Sequence, residues 1–490
     1  MFNTLQRAGA RFSTRSIVIK PSEFGQPTIL SHPQLVQRDE LTPGIPSSDY
    51  EARRKKLMDL LPEKSVVVSI AAPVKYMSGS DYKYRQNSNF WYLTGFEEAN
   101  SAVILKKDSS SRGYTMALLC NGKNLHKEKW DGASTSLDAA KILFAADDTL
   151  SISSFGTYLK SLTPHASYVY IDLPDSPAKP LKKNATSLLK YLTGSVASEK
   201  DPLFESIPSS LRRPLAPQLG KLRAVKSKAE QKVMHAAATI SGRAHAKSMR
   251  FTQPGMSEAS VAAHFEYICA LGGAQRPAYV PVVASGSVPN ALILHYTANN
   301  QIINPDELVL IDAGCEYNGY ASDISRTFPA SGTFSAPQRE LYSAILSAQK
   351  ELITLCTASA GYSLQELHRE SCVLLKKQLN MIGFNLHKEG DLERILYPHY
   401  LGHPVGIDLH ESSFIDRALP LQEGMVITIE PGIYVPPTPN FPKQFHDIGI
   451  RIEDEVLIGN EDPIVLSSSA PKEVEDIEGA CQGALGLGPY

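Results

Sequence analysis

The sequence predicts an α/β domain followed by a larger α+β domain built on antiparallel hairpins. Three observations lead there. At 490 residues the chain exceeds one ordinary domain, since roughly 100–200 residues make up each. Up to about Gly194 short apolar runs alternate with helical stretches, whereas beyond Ser227 long helical patterns are separated by clustered strands. One strand pair is joined by Asn318-Gly319, a two-residue hairpin signal, because a type I′ turn needs positive φ at both central positions.

Taken in order, "MFNTLQRAGARFSTRSIVIK" carries Arg7, Arg11, Arg15 and Lys20 with no acid before Glu23. Its apolar residues are interspersed rather than grouped, the composition of a mitochondrial presequence rather than a secretory signal. We assign residues 1–22 to it, with "RFS" resembling a cleavage site after Phe12. A Pro-rich polar stretch over 25–47 reads as an extended lead-in. "YEARRKKLMDLL" reads as a helix, and "SVVVSIAA", "NFWYLTGF" and "SAVILKK" as strands. "YTMALLC" and "YVYIDLP" continue the alternation, giving an N-terminal domain over 48–200 that carries no chemical motif. Residues 201–227 read as a linker or last helix. "KAEQKVMHAAATISGRAHAKSMR", "RELYSAILSAQKELITLC" and "SLQELHRESCVLLKKQL" are the helices of a second domain over 220–475, and "GACQGALGLGPY" reads as a flexible end.

Composition narrows the function. A formal charge of −2 without a clustered basic face gives no reason to expect a nucleic-acid partner. No apolar run approaches the ~18 residues of a membrane span. Six scattered cysteines without a CxxC pair fit a reducing compartment and argue against a thiolate metal site.

Chemistry enters with "LVLIDAGCEYNGYASDISRTFP" from Leu308. With Asn318-Gly319 as the loop, Tyr317 faces Tyr320, Gly314 faces Asp323 and Asp312 faces Ser325. Asp312 and Asp323 then share one face as diagonal neighbours, with Cβ atoms roughly 7 Å apart. Two buried anions so close need a proton or a cation between them. Downstream, "GMVITIEPGIY" ends an apolar strand on Glu430, and "HDIGIRIEDEVLI" places Glu453 in another strand with Arg451 on the same face. Each acid alone could be a solvated strand end; together with the aspartates they are four negative charges that two divalent cations would cancel. Carboxylates with one imidazole suit Mn(II), Co(II), Fe(II) or Zn(II), and paired metals activate water for hydrolysis. "YPHYLGHPVGIDLHESS" offers His399, His403 and His410. Its His-to-His spacing is that of a zincin, but Tyr400 stands where that motif needs Glu, and Gly402 and Pro404 oppose a helix.

"HYTANN", "IDAGCEYNGYASDISRTFP", "GHPVGIDLHE", "EPGIY" and "GIRIEDE" together resemble the pita-bread metallopeptidases, and the aminopeptidase P branch in particular. "RQNSNFWYLTGF" resembles that branch's N-terminal domain. With the presequence, the likeness is to the mitochondrial Xaa-Pro aminopeptidase and intermediate-cleaving peptidase group. The resemblance implies two metal ions, with Mn(II) expected, held by Asp312, Asp323, His403, Glu430 and Glu453. In it Asp323 and Glu453 bridge, Asp312 completes one site, and His403 with Glu430 the other. It further implies that Glu430 shuttles a proton, that His295, His399 and His410 face the substrate, and that Arg451 orients carboxylates. Trp91 is either a wall of the substrate site or a core aromatic. Ser325 stands where relatives often have Thr. The implied activity is release of one N-terminal residue from Xaa-Pro peptides or imported protein intermediates, by a homodimer in the mitochondrial matrix. A prolidase-type dipeptidase and a metal-free binding module are the alternatives on the same fold.

Overall fold

The computed structural model describes residues 23–77, 80–172, 207–286, 296–386, 390–484 and 488. The proposed presequence and His295 lie outside these residues. Two compact units emerge: Met1–Pro43, Leu61–Tyr170 and Pro174–Arg213 form the first, and Gly44–Leu60, Ile171–Leu173 and Pro214–Tyr490 the second. The helix Ser47–Leu60 (α1) therefore belongs to the second unit, although its sequence precedes almost all of the first.

A six-stranded sheet organises the first unit. Its strands are Ser65–Ile70 (β1), Ala102–Lys107 (β2), Tyr114–Cys120 (β3), Asp148–Ser151 (β4), Tyr168–Ile171 (β5) and Arg212–Pro214 (β6), in spatial order β6-β5-β1-β2-β3-β4. β1, β2 and β3 pair antiparallel, and β4 joins β3 in parallel. Val67, Val68, Val103, Leu105, Leu118 and Leu119 are fully buried, as expected for central strands covered on both faces.

The sequence reading errs at "NFWYLTGF", where Ser88–Thr94 (α2) is a helix rather than a strand. Its aromatic residues favour strands, but the ends decide the outcome. The Asn87 side chain accepts the Phe90 N–H at the start, and Gly95 closes the helix in the left-handed region at φ 66°. Trp91 is a buried aromatic of this helix. The stretch read as an extended lead-in is also more ordered than expected, with Val36 fully buried and a short strand at Glu40–Thr42.

In the second unit helices flank small antiparallel sheets. Helix Ala216–Ala224 (α3) lies in the segment read as a linker or last helix, followed by Lys228–Phe251 (α4) and Glu258–Leu271 (α5). Ser227 opens α4 with a capping box to Glu230. α1 packs against this start: Arg53 pairs with Glu230 at 3.1 Å, and both bond the Tyr320 hydroxyl. Helices Ala336–Thr354 (α6) and Leu364–Met381 (α7) complete the main layer. Helix Val474–Gln482 (α8), with Val474, Ile477 and Ala480 buried on one face, takes in the first four residues, 479–482, of the tail read as flexible.

Strands Arg276–Pro277 (β7), Val282–Ser285 (β8), Leu308–Asp312 (β9), Cys315–Tyr317 (β10), Tyr320–Ala321 (β11) and Ser325–Pro329 (β12) form two three-stranded sheets, β7-β10-β11 and β8-β9-β12. Val426–Ile429 (β13), Gly432–Tyr434 (β14), Gly449–Arg451 (β15), Asp454–Leu457 (β16) and Ile464–Val465 (β17) pair as β13-β16-β17 and β14-β15. Every strand pairing in this unit, among the described residues, is antiparallel.

Candidate metal centre

Two broken hairpins supply the carboxylates. In the first, Tyr317 faces Tyr320 and Asp312 faces Ser325, as the Asn318-Gly319 turn predicts. Asn318 and Gly319 both have positive φ, 49° and 82°. The ladder is interrupted between these pairs, where Ala313, Gly314 and Cys315 oppose Ile324, Asp323 and Ser322 in the same register. A Cβ on Gly314 would lie 1.8 Å from the Ser322 carbonyl oxygen, so only glycine permits the crossing. Asp323 sits in this interruption, and its backbone N–H donates to the Glu455 carboxylate.

The second hairpin repeats the construction. Ile429 faces Asp454 and Gly432 faces Arg451, in one continuous register. Glu430 and Glu453 fall in the gap between the two ladders, outside any strand. The hairpins meet where the Glu453 N–H donates to the Ser325 carbonyl at 3.1 Å. A break in a ladder frees the local backbone to turn side chains inward, and it does so here on both hairpins.

The loop from Leu401 to Glu411 delivers the histidines, and no helix forms across His399–His403. The Thr428 N–H donates to the His403 carbonyl, the His403 N–H to the Thr428 hydroxyl and the Val405 N–H to the Val426 carbonyl, docking this loop along β13. A Cβ on Gly402 would meet the Thr428 carbonyl oxygen at 1.9 Å, so glycine is required there as well. His403 Nδ1–H donates to the Pro404 carbonyl at 3.2 Å, which turns Nε2 toward the acids, the nitrogen that would offer its lone pair to a metal ion on losing its proton. Nε2 lies 3.3 Å from Asp323 Oδ2 and 3.8 Å from Glu430 Oε1. The His410 ring meets that of His403 edge-on, with centroids 4.3 Å apart.

Asp312 and Asp323 lie on a shared face, for the Tyr279 hydroxyl is within 2.5 Å of one and 2.6 Å of the other, and its single proton goes to one of them. Arg451 binds Asp312 at 2.6 Å, the Ser325 hydroxyl at 2.9 Å and the Tyr434 hydroxyl at 2.7 Å. Ser325 in turn donates to Glu453 at 2.7 Å. His399 Nδ1–H bonds the Tyr400 carbonyl, so its Nε2 accepts from the Tyr434 hydroxyl at 3.2 Å. A continuous chain thus runs from Asp312 through Arg451 and Tyr434 to His399.

Electrostatics mark this cluster as incomplete without cations. Burial, then repulsion from Asp323 and Glu430, pushes the Glu453 carboxyl well above the usual range. Burial also lifts Glu430 to about 7, against the pull of His403 and Arg451. Burial alone would lower His403, but its hydrogen bond to Asp323 and the surrounding carboxylates raise it to about 9. Asp323 is held down by that same imidazolium despite its burial. Protons and the imidazolium balance these carboxylates in the place that cations would fill. His399 has no carboxylate contact, and burial with the nearby Arg451 lowers it to about 3, so it is neutral.

Asp323, His403 and Glu453 bring donor atoms within 4.8 Å of one another, and Glu430 and Asp312 border them through the contacts above. An oxygen-rich set with one imidazole nitrogen, its proton directed away, fits hard-to-borderline divalent ions. Of the residues expected on the substrate side, His399 and His410 join the cluster. Tyr279 was invisible to sequence reading, because "RPAYVP" belongs to no chemical pattern. Tyr434 could have been found, since it lies two positions from Gly432 on the face that follows Glu430.

Residues 232–460 match metallopeptidase family M24, and residues 50–170 match the aminopeptidase P N-terminal domain. "Intermediate cleaving peptidase 55, mitochondrial" of Arabidopsis thaliana is 37% identical, covering 95% of this chain and 88% of its own. "Xaa-Pro aminopeptidase 3" of Rattus norvegicus is 36% identical, covering 96% and 94%. The crystal structure of Icp55 from Saccharomyces cerevisiae superposes with a TM-score of 0.80 at 35% identity, over 92% of this chain and all of that one.

Proposed function

Because the chain belongs to metallopeptidase family M24, with the aminopeptidase P N-terminal domain, we propose that it removes one residue from peptides beginning Xaa-Pro and from imported protein intermediates. It is a metallo-aminopeptidase. The names of the rat and Arabidopsis relatives support the two substrate classes respectively. The observation that carries the reading is the convergence of Asp323, His403 and Glu453 within 4.8 Å, bordered by Asp312 and Glu430.

Two divalent ions, Mn(II) by preference, would be held by Asp312, Asp323, His403, Glu430 and Glu453. When bound, they supply Lewis acidity and lower the pKa of water, the chemistry that peptide hydrolysis needs. The chain's own residues do the rest. Glu430 moves a proton between water and the leaving amine. His399 and His410 line the substrate side, where an imidazole N–H directed at a developing oxyanion would stabilise it; for His399, whose nitrogens engage Tyr400 and Tyr434, that requires exchanging one of these partners. Arg451 holds Asp312 in place, and Tyr434 ties His399 to the same guanidinium.

The Arg-rich, acid-poor start supports import into the mitochondrion, with the matrix as destination. The mitochondrial relative supports the same address, and the family resemblance supports a homodimer. The test is a mass-spectrometric digest by the Mn(II)-loaded chain of one peptide beginning Xaa-Pro and one beginning Tyr-Ser. Loss of one residue from either supports the reading, and loss from both supports presequence trimming as well as proline-directed cleavage. Intact peptides from a metal-loaded chain that cleaves only dipeptides would overturn it.

A further inference from the structure

The loop carrying His403 and His410 is held from outside the cluster by one buried guanidinium. Arg223, at the end of α3, donates from Nε to Glu411 Oε1 at 2.8 Å and from a terminal nitrogen to Glu411 Oε2 at 3.0 Å. That terminal nitrogen also reaches Asp408 Oδ2 at 2.6 Å. Arg223 is 5% exposed and Glu411 4%. From its side chain Glu411 accepts the Asp408 N–H at 3.0 Å, while its own N–H donates to the Pro404 carbonyl at 2.9 Å. The loop also grips the first hairpin, because the Gly406 carbonyl accepts the Ala321 N–H at 2.8 Å. A Cβ at Gly406 would sit 2.6 Å from the Glu411 carboxylate, so the loop backbone closes directly over that side chain.

We propose that Arg223 is a positioning residue of the metal centre, acting through Glu411 and Asp408 to fix the loop that places His403 and His410. The physical reason is the cost of the alternative. Without the guanidinium, the buried Glu411 carboxylate would face that of Asp408, three residues away and 34% exposed, with its bidentate partner gone. Separating them requires the 404–411 segment to open. His403 and His410 sit at or beside the two ends of that segment, so its opening moves a metal ligand and its neighbouring imidazole together. A bidentate fork resists such opening better than a single ammonium, because both nitrogens fix the carboxylate plane. The inference rests on the metalloenzyme reading above, and metal affinity provides a readout that does not require turnover.

The experiment compares full-length wild type, Arg223→Met and Glu411→Gln by Co(II) and Mn(II) titration against a competing chelator. The Co(II) visible spectrum reports ligand geometry, and circular dichroism confirms that each protein is folded at the temperature used. The unrelated core variant Leu118→Ala, in the first unit, serves as the destabilised control. The expected result is a dissociation constant raised about 10- to 100-fold in Arg223→Met, raised less in Glu411→Gln, with an altered Co(II) spectrum, and unchanged in Leu118→Ala. Should Arg223→Met fail to fold, Glu411→Gln decides. Wild-type affinity within twofold and an unchanged spectrum in the folded variants would overturn the proposal. Failure of the wild type itself to bind metal would instead overturn the metalloenzyme reading.

Discussion

The two units of this chain bury different things. Among the described residues, the buried polar side chains of the first unit are neutral, among them Gln26, Ser65, Ser69, Thr94, Ser101 and Thr163. All the buried Arg, Lys, Asp, Glu and His residues belong to the second, from Arg53 on α1 to Glu455 on β16. Burying a charge costs several kcal/mol unless it is paired and hydrogen-bonded, and an apolar residue of similar size would pack at less cost. The first unit follows that cheaper course. The second retains charge where it holds Asp312, Asp323, Glu430 and Glu453, and the pairs around them do the holding.

Removing charge at the centre should give the largest effect. Glu430→Gln is expected to lower kcat/KM on an Xaa-Pro peptide by on the order of 10³-fold, measured with Mn(II) in excess. An activity within tenfold of wild type would move the proton shuttle elsewhere.

Next comes the pair behind it. Arg326 and Asp454 are both fully buried and meet at 2.8 Å, and Arg326 also bonds the carbonyls of Ser325, Glu453 and Ala470. Lys472 and Ser467 complete the Asp454 shell, and Arg326 with Lys472 holds its carboxyl well below the usual range despite burial. Arg326→Met should cost about 3–5 kcal/mol, seen as faster hydrogen exchange across residues 449–457 with the first unit's sheet unaffected. Equal loss of protection in both units would erase the distinction between them.

The first unit supplies the converse. Leu118→Ala removes a fully buried side chain from β3 and should cost about 2–5 kcal/mol, while metal affinity stays at the wild-type value. A weakened metal site in this variant would mean that the units do not divide the labour as described.

The smallest effect concerns His245 on α4, whose Nε2–H donates to the Ala313 carbonyl beside Asp312 at 2.9 Å. Burial lowers this imidazole to about 3. Its folded pKa lies below the unfolded one, so between about pH 6.5 and 3 only the unfolded chain takes up the proton. The second unit should therefore lose about 1.4 kcal/mol per pH unit as pH falls below 6.5. His245→Gln should flatten that slope in urea unfolding followed across pH, and an unchanged slope would assign it to another group.

What could be read beforehand follows the same division. The Asn318-Gly319 turn, the register it sets and the antiparallel class of the second unit were all legible, because turn chemistry and strand alternation act locally. So was the facing of Asp312 toward Ser325. The breaks in both hairpins were not, since they come from contacts between strands distant in sequence, such as Glu453 on Ser325. Tyr279, Arg223 and Glu411 were missed for a similar reason: each acts across the fold on a partner that no spacing rule connects. At α2 local caps overrode aromatic strand preference, and at α8 a buried face carried the helix four residues into the glycine-rich tail.

The most direct test of the account is the number of Mn(II) ions bound per chain after equilibrium dialysis, measured by elemental mass spectrometry on wild type and Asp323→Asn. Two ions in the wild type and fewer than one in the variant are expected, since Asp323 faces both His403 and the Tyr279-bridged Asp312. A single ion in the wild type, or two in the variant, would contradict a dinuclear centre built on these five residues.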